Sequence, residues 1–391
     1  MWSITSERNA VETTLVESAT LNRAPGSSPR MESNESAGAA VTNDHVSVEW
    51  ILPPETLEMI FKRLPARELV RCSSVSTVWR RTISEVRGLS RSVALERAWR
   101  FGIVEPRVCY KHQGCLECAA ESDAIVALVG ERGVEVVDLK SETAVLKCPI
   151  RLVGKARSVC FYKQSLIVGN EEGYVSVCDA KDSPSVSEVQ IVQLKASEGP
   201  VFTLVGFEGF VAVGERNGQI GILSLRDRAC KVRLSGHRGR VTCIAHEEKE
   251  NLLVSGSWDK TIRVWNATDL ACTLVLNGHR ASVESLAVTG DTVVSGACDF
   301  AARLWSLRSG ECLLILPHRS NVLALSSSES HIFSGSYPKV VKVWDRWGLC
   351  LRTLRLNGSY VRNGIWGEEG KLVCVAANGE IIEWDFSNTL D

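Results

Sequence analysis

The stretch from Leu234 to Trp305 states nearly the same sequence twice. The first copy reads LSGHRGRVTCIAHEEKENLLVSGSWDKTIRVWN and the second LNGHRASVESLAVTGDTVVSGACDFAARLWS. Each opens on Gly-His (Gly236-His237, Gly278-His279), runs through apolar residues to Val-Ser-Gly, places an Asp in a turn and ends an alternating strand on Trp. The two Trp, Trp265 and Trp305, lie 40 residues apart. Self-similarity at this period describes a unit of a few short strands that cannot bury its faces alone and must stack against copies of itself.

Four polar side chains recur with the repeat: Trp265, Ser255, His237 and Asp259 in one copy, Trp305, Ser295, His279 and Asp299 in the next. Buried polar groups need partners, and an indole N–H, a hydroxyl, an imidazole and a carboxylate can satisfy one another. Ser, His and Asp would also be the raw material of a hydrolase triad. The recurrence at a fixed period assigns them a structural role instead. Counting outwards by the same period finds Val137, Cys178 and Leu223 before Trp265, then Trp344 and Trp384 after Trp305, at intervals of 41, 45, 42, 40, 39 and 40. Seven third strands predict an all-β propeller of seven blades over residues 107–391. Only Phe386–Asp391 follow Trp384-Asp385, while a strand-like piece, 107–111, precedes the first blade. That piece is placed to complete the seventh blade and remove an exposed sheet edge.

The balance of 391 residues is that of a globular protein, with net charge −1 and 45% hydrophobic residues. No global basic field points to nucleic acid or a membrane surface. No signal peptide is apparent and no apolar run is long enough to span a bilayer. Fourteen Cys are scattered along strand-like segments. They read as reduced core residues and place the chain in cytoplasm or nucleus. Cys109, His112, Cys115 and Cys118 have side chains suited to zinc. However, His112 stands four residues before Leu116, as His237 stands four before Val241, so it falls in the repeat's own His position. No metal and no cofactor is expected.

The N-terminal part reads differently. Residues 1–47 are rich in Ser, Thr, Asn and Glu and predict an unstructured leader. In 48–88, Leu57, Ile60, Phe61 and Leu64 share one helical face, with Pro54 at the first turn and Pro65 at the end. Ala66–Cys72 suggests a second short helix, and Val75, Val78, Trp79 and Ile83 share a face of a third. So small a bundle leaves an apolar face seeking a partner. Residues 89–106 read as a helical linker carrying Leu95, Ala98 and Trp99, ended by Gly102.

Leu52-Pro53, Glu55, Ile60-Phe61, Leu64, Leu69, Val75 and Trp79 resemble the F-box motif at its usual spacing. Residues 107–386 resemble the WD-repeat family, most closely in blades four and five. Blades one to three lack the Trp, blade six has Pro338 in place of the turn Asp, and blade seven has Ser359 in place of the His. Together the two resemble the F-box/WD-repeat proteins. The resemblance implies a substrate-recognition subunit of a Skp–cullin–F-box ubiquitin ligase, itself without catalytic activity. Its F-box would bind a Skp-type adaptor, and through it a cullin-RING ligase, by Leu52, Pro53, Glu55, Leu57, Ile60, Phe61, Leu64 and Trp79. A protein substrate, modified or not, would bind over the channel of the propeller. Carried over by register, its contacts are Phe202, Thr242, Glu284 and Leu323 at the starts of inner strands and Arg216, Trp258, Cys298 and Tyr337 before the turn Asp, with Arg240 just ahead of its strand. Such a site is aromatic, with a limited basic edge. The alternative is a WD-repeat assembly scaffold not acting in ubiquitin transfer, whose helical part binds something other than the adaptor.

Overall fold

Before residue 104 the computed structural model describes Met59, Phe61, Lys62, Leu64, Leu69, Trp79, Ala98 and Trp99. From Val104 to Phe386 it describes all but 113–115, 123–124, 131–132, 140–142, 149–153, 164, 180–189, 357–359 and 369. The leader expected over 1–47 lies outside the described residues. The chain divides into two compact units between Phe101 and Gly102.

In the first unit Met59, Phe61, Leu69, Trp79, Ala98 and Trp99 are helical. Phe61, Leu69 and Trp79 are buried. The Phe61 and Trp79 rings meet edge to face, with centroids 5.7 Å apart. Aromatic pairs favour this arrangement because a positive ring edge meets a negative face.

The second unit consists of seven antiparallel four-stranded sheets. Their inner strands are Leu116–Ser122, Ala156–Tyr162, Thr203–Phe207, Val241–Glu247, Val283–Thr289, Val322–Ser327 and Val361–Glu368. Each inner strand packs against the next and the last packs against the first, so the sheets form a closed ring of seven blades. Blade four shows why the repeat folds this way. Its second strand, Leu252–Ser257, is buried at all but its first residue, while its outer strand, Cys272–Leu276, is mostly exposed. A strand covered on both faces needs a continuous small or apolar run, and an edge strand does not. Neighbouring blades share their cores: Ile262, Val264 and Leu276 of blade four cluster with Val283, Val293 and Trp305 of blade five. The positions that lack Trp in blades one to three are filled by Val137, Cys178 and Leu223, all buried.

The Gly of Val-Ser-Gly has a steric cause. A Cβ at Gly256 would lie 2.7 Å from Val283 Cγ1, and one at Gly296 would lie 2.7 Å from Val322 Cγ1. In blades four to seven the Val that opens the inner strand occupies the space that a side chain on the preceding blade would need.

The ring closes as the sequence predicts. Arg107–Lys111 pairs antiparallel with Glu380–Asp385, with Arg107 opposite Glu383 and Lys111 opposite Glu380. The Lys111 ammonium reaches Glu380 at 3.0 Å, and His112 N–H donates to the Gly379 carbonyl at 2.8 Å. Deleting 107–111 is therefore expected to accelerate amide exchange across 380–385 while blades three to five keep their protection, because only blade seven loses its outer strand. Unchanged protection in 380–385 would place the closing contacts elsewhere.

Candidate recognition face of the ring

A hydrogen-bonded chain runs through blade four. The Trp265 indole N–H donates to Ser255 Oγ at 2.9 Å, Ser255 meets His237 Nε2 at 2.8 Å, and His237 Nδ1 meets Asp259 Oδ2 at 2.9 Å. Asp259 also accepts from the Arg238 and Thr261 backbone N–H groups at 2.8 and 2.9 Å. Blade five repeats it: Trp305 to Ser295 at 2.7 Å, Ser295 to His279 at 2.7 Å, His279 to Asp299 at 2.9 Å. Ser255 and Ser295 are fully buried and already accept from an indole. No substrate can reach them, which is the geometry of a structural cluster. Blade six, with Pro338 at the Asp position, keeps Trp344 to Ser334 and Ser334 to His318, both at 2.8 Å. There Nδ1 of His318 turns to the Leu316 carbonyl at 3.0 Å. In blade one, His112 Nδ1 meets Glu135 Oε2 at 2.5 Å.

Protonation follows from these partners. Burial pushes the Asp259 carboxyl up, but the bonds from His237, Thr261 and the backbone of Arg238 together outweigh it and hold the group below the usual carboxylate range. Burial lowers His279 against the opposing bond and charge of Asp299. Without a carboxylate partner, His318 is pushed down by burial to about 4. Neutral His318 is thus preferred in the folded ring, whereas the unfolded chain takes up the proton near 6.5. Between these values the unfolded state binds more protons, so stability falls as pH drops from about 6.5 towards about 4. The Asp259 contribution is lost only at lower pH, as its depressed folded value is passed. His318→Gln is expected to flatten the loss of stability in urea unfolding between pH 6.5 and 4.5; an unchanged slope would show that His318 is not the group responsible.

The chain anchors the turn between second and third strands, and a backbone bond ties that turn to the inner strand. The N–H donors of Glu171, Trp258, Cys298, Tyr337 and Ala377 bond the carbonyls of Lys155, Arg240, Ser282, Asn321 and Tyr360, at 2.9, 2.9, 2.9, 3.1 and 2.9 Å. Each blade so tied brings one turn residue and one pre-strand residue together on the same face. On that face Trp258 and Tyr337 are 49% and 52% exposed, which makes them available to a partner. The Arg240 guanidinium carbon lies 3.9 Å from the Phe202 ring centroid and 4.0 Å from that of Trp258, so both its faces are stacked. Stacking of this kind is favourable and keeps an Arg in one place. Arg216 is exposed in the turn of blade three. The Glu215 carbonyl beside it accepts from Val241 N–H at 3.1 Å, which seats that turn against blade four.

The other expected contacts are less open. Thr242 directs its hydroxyl to the Val283 carbonyl at 2.5 Å and lines the channel instead of offering a donor to the face. Glu284 accepts from Ser282 Oγ at 2.8 Å and faces Cys298 Sγ at 3.7 Å. Burial pushes the Cys298 thiol up, with the charge of Glu284 adding to it. Leu323 is half-buried. The channel below is bordered by all seven inner strands, Phe202 and Thr242 among them, and encloses about 190 Å³.

Three residues of this face were not read from the sequence. Arg157 occupies the Thr242 position of blade two and pairs with Glu171 at 2.6 Å. Tyr360 stacks on Tyr337, with centroids 5.7 Å apart. Phe300, 50% exposed, follows Asp299 in its turn, two residues beyond Cys298. Of the expected adaptor contacts, Phe61 and Trp79 are buried against each other. Leu64 is half-buried, and Leu52, Pro53, Glu55, Leu57 and Ile60 lie outside the described residues.

Residues 228–266, 270–306 and 310–345 match the WD domain, G-beta repeat, and residues 51–90 match the F-box domain. The chain thus carries an F-box followed by a WD-repeat propeller, the domain pairing of F-box/WD-repeat proteins. It is 33% identical over 153 residues to F-box/WD repeat-containing protein 9 of Bos taurus, covering 37% of this chain and 33% of that protein. To the protein of the same name in Homo sapiens it is 30% identical over 175 residues, covering 42% and 37%. The matched stretches span well under half the length of these relatives. The WD40 β-propeller domain of Doa1 superposes with a TM-score of 0.60 at 19% identity, covering 72% of this chain and 97% of that one, a likeness of fold.

Proposed function

We propose that this protein is the target-recognition subunit of a Skp–cullin–F-box ubiquitin ligase. The F-box helices bind a Skp-type adaptor, and the ring binds a target protein on the face that carries Trp258 and Tyr337. The protein performs no chemistry; it holds a target near the ligase's ubiquitin-carrying enzyme, where proximity supplies the rate. The observation that carries this reading is the joining, in one chain, of an F-box at 51–90 to a closed ring with large exposed aromatic residues at consecutive turns of one face. Exposed aromatic residues are the side chains most enriched at the energetic centres of interfaces.

Two experiments test the two halves separately. The double variant Leu52→Ala/Ile60→Ala is expected to lose co-precipitation with a Skp-type adaptor and cullin while the ring keeps its melting temperature. Undiminished co-precipitation would leave an assembly scaffold as the better description. Trp258→Ala is expected to weaken target capture by about 2 kcal/mol, as truncating a central aromatic anchor commonly does, with adaptor binding unchanged. A variant that melts earlier but captures the same partners would make Trp258 a packing residue and move the interface off this face.

A further inference from the structure

Blades four, five and six each place one arginine at a matching position of the recognition face and one aromatic residue in the turn beside it. The arginine follows the repeat's His: Arg238, Arg280 and Arg319. The aromatic residue sits in the turn between second and third strands: Trp258, Phe300 and Tyr337. All six side chains are exposed. Two of the arginines are held beside their turns by the backbone, because the Arg238 and Arg280 N–H groups donate to Asp259 and Asp299 at 2.8 and 2.9 Å. Their side chains take no part in those bonds. Arg216, exposed on the turn of blade three that abuts blade four, extends the row by one blade. Among the described residues none of these four guanidinium groups pairs with a carboxylate. In blade two, by contrast, the face neutralises itself through Arg157 and Glu171 at 2.6 Å. Beyond Arg216 the row stops at Glu198, which holds the Arg238 position in blade three.

We propose that this arc binds an extended acidic segment of the target, in which carboxylates and apolar side chains alternate. The inference rests on the reading of this face as the target-binding surface and specifies what it takes. Packed sheets lie about 10 Å apart and an extended chain advances about 3.3 Å per residue, so each blade step matches about three residues and the arc about ten. Each guanidinium meets a carboxylate, and Trp258, Phe300 and Tyr337 cover the apolar side chains between. The source of negative charge is carboxylate and not phosphate. A phosphate dianion is best held by guanidinium groups that converge on it, whereas these arginines stand one to a blade. Glu284, between Trp258 and Tyr337 in blade order, would repel a dianion placed near the channel.

The test measures binding of the full chain, with its adaptor, to three matched sets of synthetic twelve-residue peptides. One places glutamate at every third position with leucine or phenylalanine between, one replaces each glutamate by glutamine, and one replaces them by glutamine around a single phosphoserine. The glutamate set is expected to bind at least tenfold more tightly than either other set, and to weaken as salt is raised. The triple variant Arg238→Ser/Arg280→Ser/Arg319→Ser is expected to lose that preference at unchanged melting temperature. The reversed variant Arg238→Glu/Arg280→Glu/Arg319→Glu is expected to favour a lysine-containing counterpart of the glutamate set. Tighter binding of the phosphoserine set, or a glutamate preference that survives in the triple-serine variant, overturns the proposal. Cellular partners lost by Trp258→Ala but kept by the triple-serine variant also overturn it, and leave the target-binding role of the face standing. Partners kept by both variants remove the face itself.

Discussion

The ring depends on one steric relation repeated from blade to blade. The residue that opens an inner strand sits against a glycine in the second strand of the blade before it. Val241 takes the space beside Gly214, Val283 that beside Gly256, Val322 that beside Gly296 and Val361 that beside Gly335. Interiors are packed as densely as organic crystals, and an added methyl in such a contact typically costs about 1–3 kcal/mol. The relation sets the approach of neighbouring blades and brings the inner strands together around a channel of about 190 Å³. Closure by Arg107–Lys111 then leaves no blade with three strands.

On that frame the Trp–Ser–His–Asp chain has a second task. It pins the turn that carries the exposed residues, so that Trp258 is presented by Asp259 beside it and Phe300 by Asp299. The chain weakens around the ring in chemically consistent steps. Blade six substitutes a backbone carbonyl for the carboxylate, and blade one substitutes Glu135. Blade three has Ser197 in place of the His and buries Glu215, whose carboxyl burial pushes up against the opposing charge of Arg233 at 3.7 Å. The tied backbone bond between turn and pre-strand residue persists in blade two, where the Trp is absent. The face is therefore built by backbone geometry and only reinforced by the polar chain.

Much of this was legible from the residues. A fixed period located all seven third strands even where Val137, Cys178 and Leu223 replace Trp, because burial asks only for an apolar side chain. The exposure of Trp258 was legible because a large ring beside an inward-turned Asp has few places to go, and that of Tyr337 because it holds the same register. An apolar helical stripe does not say which of its members are covered, and the packing of Phe61 on Trp79 was not read from it. Phe300 and the arginines after each His were not read, because exposure at those positions is a property of the folded turn and leaves no periodic signature of hydrophobicity.

The central claim is that one chain holds an adaptor at its F-box and a target on one face of its ring. Cross-linking mass spectrometry of the full chain, captured from cells with a cleavable lysine-reactive reagent, tests it most directly. Lys155, Lys260 and Lys339 lie on the recognition face, whereas Lys163 and Lys249 lie in the turns at the opposite end of the blades. The account predicts adaptor cross-links at Lys62 and target cross-links concentrated at Lys155, Lys260 and Lys339. Target cross-links concentrated at Lys163 and Lys249, or adaptor cross-links spread over the ring, would contradict it.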